Sequence, residues 1–221
     1  MIRIVGAGPG SPAHMTQKGV SALMESEIVV SGERLLEVLN LPAGVERIEL
    51  PASGMAEAVV GVLEKLEKGS PGRRIALVVS GDPGFYSLAK KVIGRFGRDS
   101  VEVIPGISSL QILSARLGRS WVNVPTATLH GRFYPERSEL AARLCASGEI
   151  VILLGGADVA VENMRWLSKD SLLGSAKAAV GWDLGLPEER LLEAPSLAEL
   201  LHDPYKGRLA LLWLAAPSSD A

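Results

Sequence analysis

The chain has 221 residues, 47% of them apolar and 22% charged, a composition that excludes intrinsic disorder and leaves room for one large or two small domains with a core. A formal net charge of −2 offers no basic surplus to a nucleic-acid polyanion, so nucleic acid is excluded as a partner. No apolar run approaches the roughly 20 residues of a membrane span and the opening residues lack a leader's cleavage site, so no membrane association and a cytoplasmic location are expected.

Apolar β-branched runs punctuate the first half: IRIVG, EIVVS, RIEL, RIALVVS and VEVI read as strands, with helical stretches between some of them. In GMAEAVVGVLEKLEKG the apolar positions Val59, Val62, Leu63 and Leu66 recur at three and four, predicting a helix closed by Gly69. FYSLAKKVIGRF and SSLQILSARLG read as further helices, the latter ending at Gly118. Periodicity is then lost in RSWVNVPTA, which contains Pro125. The domain junction is therefore placed there, with one α/β domain over 1–118 and a second over 119–221.

In the second half ATLHG, EIVILLG, KAAVGW, RLLEA and RLALLWLA read as strands, and ERSELAARLCAS and ADVAVENMRWLS as helices. AAVGW and RLLEA, joined by DLGLPEE, suggest an antiparallel pair. The fold class is α/β, two α/β units of which the first follows a βα alternation. Cys145 is the only cysteine, which rules out an intrachain disulfide and a thiolate metal cluster. It is read as a small apolar residue on the helical face of Leu140, Ala141 and Leu144. His14, His130 and His202 share no ligand spacing, and no metal site is expected.

Three glycine-bearing segments follow strands. Gly6-Ala7-Gly8-Pro9-Gly10-Ser11 resembles a dinucleotide fingerprint but places its third glycine one residue too early, and Pro9 removes an N–H donor. Ser80-Gly81-Asp82-Pro83-Gly84-Phe85-Tyr86 reads either as a helix start, with Asp82 the cap and Pro83 the first helical residue, or as backbone opened toward a cofactor. In Ile104-Pro105-Gly106-Ile107-Ser108-Ser109, Ser108 reads as another cap or as part of the same ligand edge. Three such loops at strand carboxyl ends are able to converge on one edge of a sheet.

VGAGPGS, SGDPGFY and VIPGISS, in this order, resemble the tetrapyrrole methylase family of class III S-adenosylmethionine-dependent methyltransferases, over essentially the whole chain. Within it, Leu129-His130-Gly131-Arg132 and AVGWDLGLPEERL are similar to the branch that methylates C5 of precorrin-type cobalamin precursors. The resemblance implies two α/β/α domains with the active site in the cleft between them, a homodimer, S-adenosyl-L-methionine as cofactor and a precorrin as substrate. It also implies that Pro9, Gly81, Asp82, Phe85, Ser108, Ser109, Leu154, Gly181, Trp182 and Leu212 contact the cofactor, and that Gly8, Gly10, His130 and Arg132 contact the substrate. Ser11 stands where the family usually carries an acid, and His14-Met15 where it carries a more apolar pair. The C15-methylating and decarboxylating domain fused to some relatives is missing, so a separate protein is expected to perform that step.

The sulfonium of the cofactor is already a good leaving group, so no conspicuous acid/base pair is required. His130 is the one candidate general base, with a structural or substrate-orienting role equally open. Arg132, Arg116 and Arg119 are candidates for substrate carboxylates, each with the alternative of a solvated surface arginine. Three other functions are weighed: methylation at a different carbon or on another substrate within the same family, a non-catalytic cofactor-binding sensor, and a nicotinamide dehydrogenase, which the loop spacing disfavours.

Overall fold

The structure, a computed structural model, describes residues 1–130, 135–202 and 207–217. The chain divides into two compact units, Met1–Ser108 and Ser109–Ala221.

The first unit runs β1 (Ile2–Gly6), α1 (Gln17–Met24), β2 (Ile28–Gly32), α2 (Glu33–Val38), β3 (Glu46–Leu50), α3 (Met55–Gly69), β4 (Ile75–Val79), α4 (Ala89–Phe96) and β5 (Val101–Ile104). Its strands form one sheet in the order β3-β2-β4-β1-β5, every pairing parallel. Parallel neighbours need crossovers, and helices on both faces bury the sheet twice over, which is why β4 is the unbroken apolar run IALVV. Side chains alternate across it. Ile2, Ile4, Ile28, Val30, Leu77 and Val79 meet Val59 and Leu63 of α3 and Val92 of α4 on one face. Val5, Val29, Ala76 and Val78 meet Ala22 and Leu23 of α1 and Leu35 and Leu36 of α2 on the other. At the β5 edge the Glu102 carboxylate sits 2.8 Å from Lys18 Nζ and 3.3 Å from Arg3 Nε. The hydrogen bond from Lys18 holds it below the usual carboxylate range.

The second unit runs α5 (Ser109–Leu117), β6 (Thr126–Thr128), α6 (Arg137–Ser147), β7 (Glu149–Gly155), α7 (Ala157–Leu167), α8 (Ser171–Ser175), β8 (Lys177–Trp182), β9 (Arg190–Ala194), α9 (Leu197–Leu200) and β10 (Ala210–Ala215). Its sheet has the order β6-β7-β10-β8-β9, in which only β6 and β7 pair in parallel. The expected antiparallel pair is β8 with β9, in the register Gly181 opposite Leu191. Trp213 in β10 is 1% exposed and donates from Nε1 to Glu149 Oε1 at 3.1 Å, the same oxygen that takes Arg119 at 2.7 Å. A buried indole N–H is thereby satisfied.

Three expectations need correction. The first unit ends at Ser108, so α5 belongs to the second unit and not to the first, because it packs against β10. The helix of FYSLAKKVIGRF starts only at Ala89, since the residues before it are held in turns. Cys145 is exposed, because α6 buries only the narrow stripe of Leu140 and Leu144. Among the described residues no helix is long and apolar enough to cross a membrane.

Replacing the fully buried Leu77 by Ala is expected to cost about 2–5 kcal/mol in urea unfolding, because β4 is covered on both faces and collapses poorly around a cavity. Val103→Ala, on the exposed side of the edge strand, should stay within about 0.5 kcal/mol of the parent.

Candidate functional site

In the first sheet β1 lies between β4 and β5, so the loops that leave these three strands at their carboxyl ends are neighbours. They are knitted together through main chain. Ala7 N donates to Val79 O at 2.9 Å, and Gly8 and Gly81 exchange two bonds: Gly8 N to Gly81 O at 3.3 Å and Gly81 N to Gly8 O at 2.6 Å. A Cβ on Gly6 would lie 2.6 Å from Gly106 N and 2.8 Å from Gly81 O, and one on Gly106 would strike the same carbonyl. Glycine is required at both positions by this close approach of backbone to backbone.

Asp82 ties the second loop to the third. Its Oδ1 accepts from Gly84 N at 2.7 Å and its Oδ2 from Gly106 N at 3.0 Å. It does not cap α4, which begins seven residues later at Ala89, and Pro83 is not the first helical residue. Asp82 is therefore a bridge between loops, and charge-assisted bonds to N–H groups suit a carboxylate in that role.

Two further side chains secure the cluster, and neither was singled out in the sequence. Arg34, in the first turn of α2, donates to Pro9 O at 3.3 Å and Ser80 Oγ at 3.2 Å, joining the first loop to the second. Thr16 Oγ1 donates to Pro105 O at 3.3 Å, joining the third loop to the start of α1. The only sequence signal of Arg34 is its position just after the carboxyl end of β2, whereas Thr16 is the N-cap of α1, its Oγ1 accepting from Gly19 N at 3.1 Å.

Gly8, Pro9 and Gly10 are buried. The His14 carbonyl lies 2.7 Å from where a Gly8 Cβ would stand, and Arg34 Nη1 lies 2.8 Å from that of Gly10. His14 Nδ1 is the one buried side-chain polar atom without a hydrogen-bond partner among the described residues. Gly81 is different: at φ +70° its open face meets only Ser108 Cα, at 3.8 Å. Phe85 is half-buried, its N–H given to Asp82 O at 3.0 Å, and Ser108 is 5% exposed. Gly8, Pro9, Gly10, Gly81, Asp82, Phe85 and Ser108 are thus brought to one edge of one sheet. Ser109 begins α5 in the other unit.

In the second unit β7 and β8 both run antiparallel to β10, so Gly155 and Trp182 share an edge, each opposite Ala210. His130 joins them, exposed, with its ring against Gly155. Its N–H is held by Thr128 Oγ1 at 3.0 Å. The side chains of Leu154, Trp182 and Leu212 belong to the core of the unit. Leu212 is also mid-strand between Ile152 and Val180, so its main chain is taken up by the ladder. A Cβ on Gly181 would meet Leu184 at 2.7 Å. Asp183, unremarked in the sequence, is buried at φ +46° and accepts from Arg208 N at 3.0 Å and Leu209 N at 3.1 Å.

Arg116 and Arg119 are engaged within the second unit. Arg116 donates from Nε and Nη2 to the two oxygens of Glu189 at 2.5 and 3.3 Å, a fork that raises its pKa further, and Arg119 pairs with Glu149. Arg132 lies outside the described residues. No group of His, Cys, Asp and Glu among the described residues is arranged to hold a metal ion.

Residues 1–200 match the family model described as Tetrapyrrole (Corrin/Porphyrin) Methylases. The chain is 34% identical over 158 residues to a probable cobalt-precorrin-7 C(5)-methyltransferase of Methanocaldococcus jannaschii, covering 70% of this chain and 71% of that protein. It is 31% identical over 153 residues to a probable cobalt-factor III C(17)-methyltransferase of Methanothermobacter thermautotrophicus, covering 67% of this chain and 42% of the relative. Among solved structures, the uroporphyrin-III C-methyltransferase from Thermus thermophilus complexed with S-adenosylhomocysteine superposes with a TM-score of 0.71 at 22% identity, covering 97% of this chain and 96% of that one.

The packing makes a ranking of glycine substitutions. Gly118→Ala meets nothing within 4 Å and bears only the left-handed backbone cost at φ +62°, about 1–2 kcal/mol. Gly106→Ala bears no such cost but drives a methyl group into backbone, and is expected to destabilise more than Gly118→Ala in chemical denaturation. Equal losses would show that the loops separate without penalty.

Proposed function

The chain belongs to the tetrapyrrole (corrin/porphyrin) methylases, and from that premise we propose that it methylates C5 of a precorrin or its cobalt-loaded equivalent, with S-adenosylmethionine as donor. The observation that carries the reading is the knitted triplet of loops at the carboxyl edge of the first sheet, open at Gly81 and closed at Gly6 and Gly106. Small ligands bind at the carboxyl ends of parallel strands, and a main-chain cradle without side chains suits a cofactor recognised through its polar edges.

The residues present fit the cofactor in a stated way. Gly81, Asp82 and Phe85 hold it, with Pro9 and Ser108 at the borders of the cradle. Asp82 acts chiefly by fixing the Gly84 and Gly106 amides. In the second unit Leu154, Trp182 and Leu212 are left to the core, and Gly181 to the ladder between β10 and β9. Bound S-adenosylmethionine supplies a methyl group activated by a sulfonium. What the chain contributes is alignment of a carbon nucleophile with that methyl group, an effect worth up to roughly 7–11 kcal/mol in well-oriented systems. His130, exposed on its strand edge, orients substrate or accepts the proton released when the attacked carbon restores its conjugation. Arg132 takes a substrate carboxylate. The reading includes a cytoplasmic homodimer and a separate protein for C15.

A second carbon is the rival, since the relative named for C(17) matches nearly as well as the one named for C(5). Incubation with a C5-unmethylated precursor and isotopically labelled cofactor, followed by nuclear magnetic resonance of the product, separates them: label at C5 is expected, and label elsewhere gives the enzyme another step.

S-adenosylhomocysteine at about 100 times its dissociation constant adds about 2.7 kcal/mol and is expected to raise the melting temperature by roughly 5–10 °C, while NAD leaves it unchanged. Arg132→Ala should lower kcat/KM by roughly 10- to 150-fold without weakening S-adenosylhomocysteine, as loss of one charge-assisted bond requires. A defect confined to cofactor binding would contradict that role.

A further inference from the structure

Tyr86 occupies a conformation that its own chemistry disfavours. Its φ is +46°, in the left-handed region where a bulky side chain is strained, and the residue is 47% exposed, although tyrosine's apolar body usually finds cover. The backbone on either side explains how the strain is held. Phe85 N donates to Asp82 O at 3.0 Å, closing a turn before Tyr86. Ser87 Oγ donates to Pro83 O at 2.6 Å and accepts from Ala89 N at 3.1 Å, closing another across and after it. Asp82, through Gly106, locks this double turn to the third loop. Strain of this kind persists only where the surroundings over-determine it. The Phe85 ring, 4.8 Å away and nearly edge-on at 66°, supports the Tyr86 ring from one side.

We propose that Tyr86 is a stacking platform whose ring takes the face of a flat conjugated ligand at the edge of the glycine loops. It rests on the methyltransferase reading, which brings two such faces to this edge, the adenine of the cofactor and the conjugated part of the macrocycle. An aromatic face fits both, because stacking needs a π-surface and not a particular hydrogen-bond pattern.

The test uses the full chain with Tyr86→Phe, Tyr86→Leu and Tyr86→Gly. S-adenosylhomocysteine is titrated by calorimetry, and KM is measured for a C5-unmethylated precorrin. Tyr86→Leu is expected to weaken one of the two by roughly 5- to 100-fold: the cofactor product if adenine is the partner, the precorrin if the macrocycle is. Tyr86→Phe, which keeps the face, should stay within about twofold of the parent. Tyr86→Gly should lose the same ligand as Tyr86→Leu yet melt no lower than the parent, since glycine removes the strain along with the ring. Leu and Phe variants unchanged in both assays, a Phe variant as impaired as Leu, or a Gly variant melting well below the parent would each overturn the stacking role. A parent protein that binds no S-adenosylhomocysteine overturns the methyltransferase reading and this one with it.

Discussion

The absence of two side chains organises the first unit. Gly6 and Gly106 allow the main chains leaving β1 and β5 to touch, with the Gly81 carbonyl packed against both. That contact sets where the three loops lie, and everything proposed for the site depends on it. A methyl group at either glycine would part the loops and remove the Asp82 carboxylate from Gly106 N. Close packing, the paired main chains of Gly8 and Gly81 and the Asp82 bridge reinforce one another. Arg34 and Thr16 add a second ring of ties, from α2 and from the start of α1, that anchor the loops to the helices below.

The second unit reaches a comparable result with different means. Its sheet is mixed, and the edge that carries Gly155 and Trp182 also receives the start of β10. There the buried Asp183 carboxylate takes the N–H groups of Arg208 and Leu209, and a Cβ on Gly207 would lie 2.6 Å from Asp183 Oδ2. A buried carboxylate is costly unless hydrogen-bonded, and here main-chain donors meet that need. In both units an aspartate just after a strand holds amides from a distant segment.

These same features separate what was legible in the sequence from what was not. The strands β2 and β4 could be read because burial on both faces demands long apolar runs, and β1 from the Ile and Val positions around Arg3. α3 was legible from the stripe through Val59 and Leu63, and the β8–β9 pair from two apolar runs flanking DLGLPEE. The sequence of the glycine loops pointed to convergence, and they do converge. The role of Asp82 was hidden, since Asp-Pro-Gly after a strand has the same local pattern as a helix cap and its deciding partner is 24 residues away. Arg34 and Asp183 were invisible for the same reason: a side chain that ties distant backbone leaves no periodic trace. Cys145 was misread because the periodic face extended by one position beyond the part that is buried.

The chemistry follows from how the polar side chains near the loops are used. Asp82 and Thr16 hold backbone, and Arg34 holds backbone and the Ser80 hydroxyl. Among the described residues of the loops, little is left that resembles an activated nucleophile or a coupled acid/base pair. A hydrolase would be poorly served by such a site, because water must be activated by a group with a suitable pKa. A methyl transfer from a sulfonium has no such need: the leaving group departs neutral, and the barrier responds to distance and alignment. Rigid main chain is the better instrument for that purpose, since it places atoms without the rotamer freedom of long side chains. The strained Tyr86 fits the same logic. A ring fixed by its backbone orients a flat partner without first having to be ordered itself.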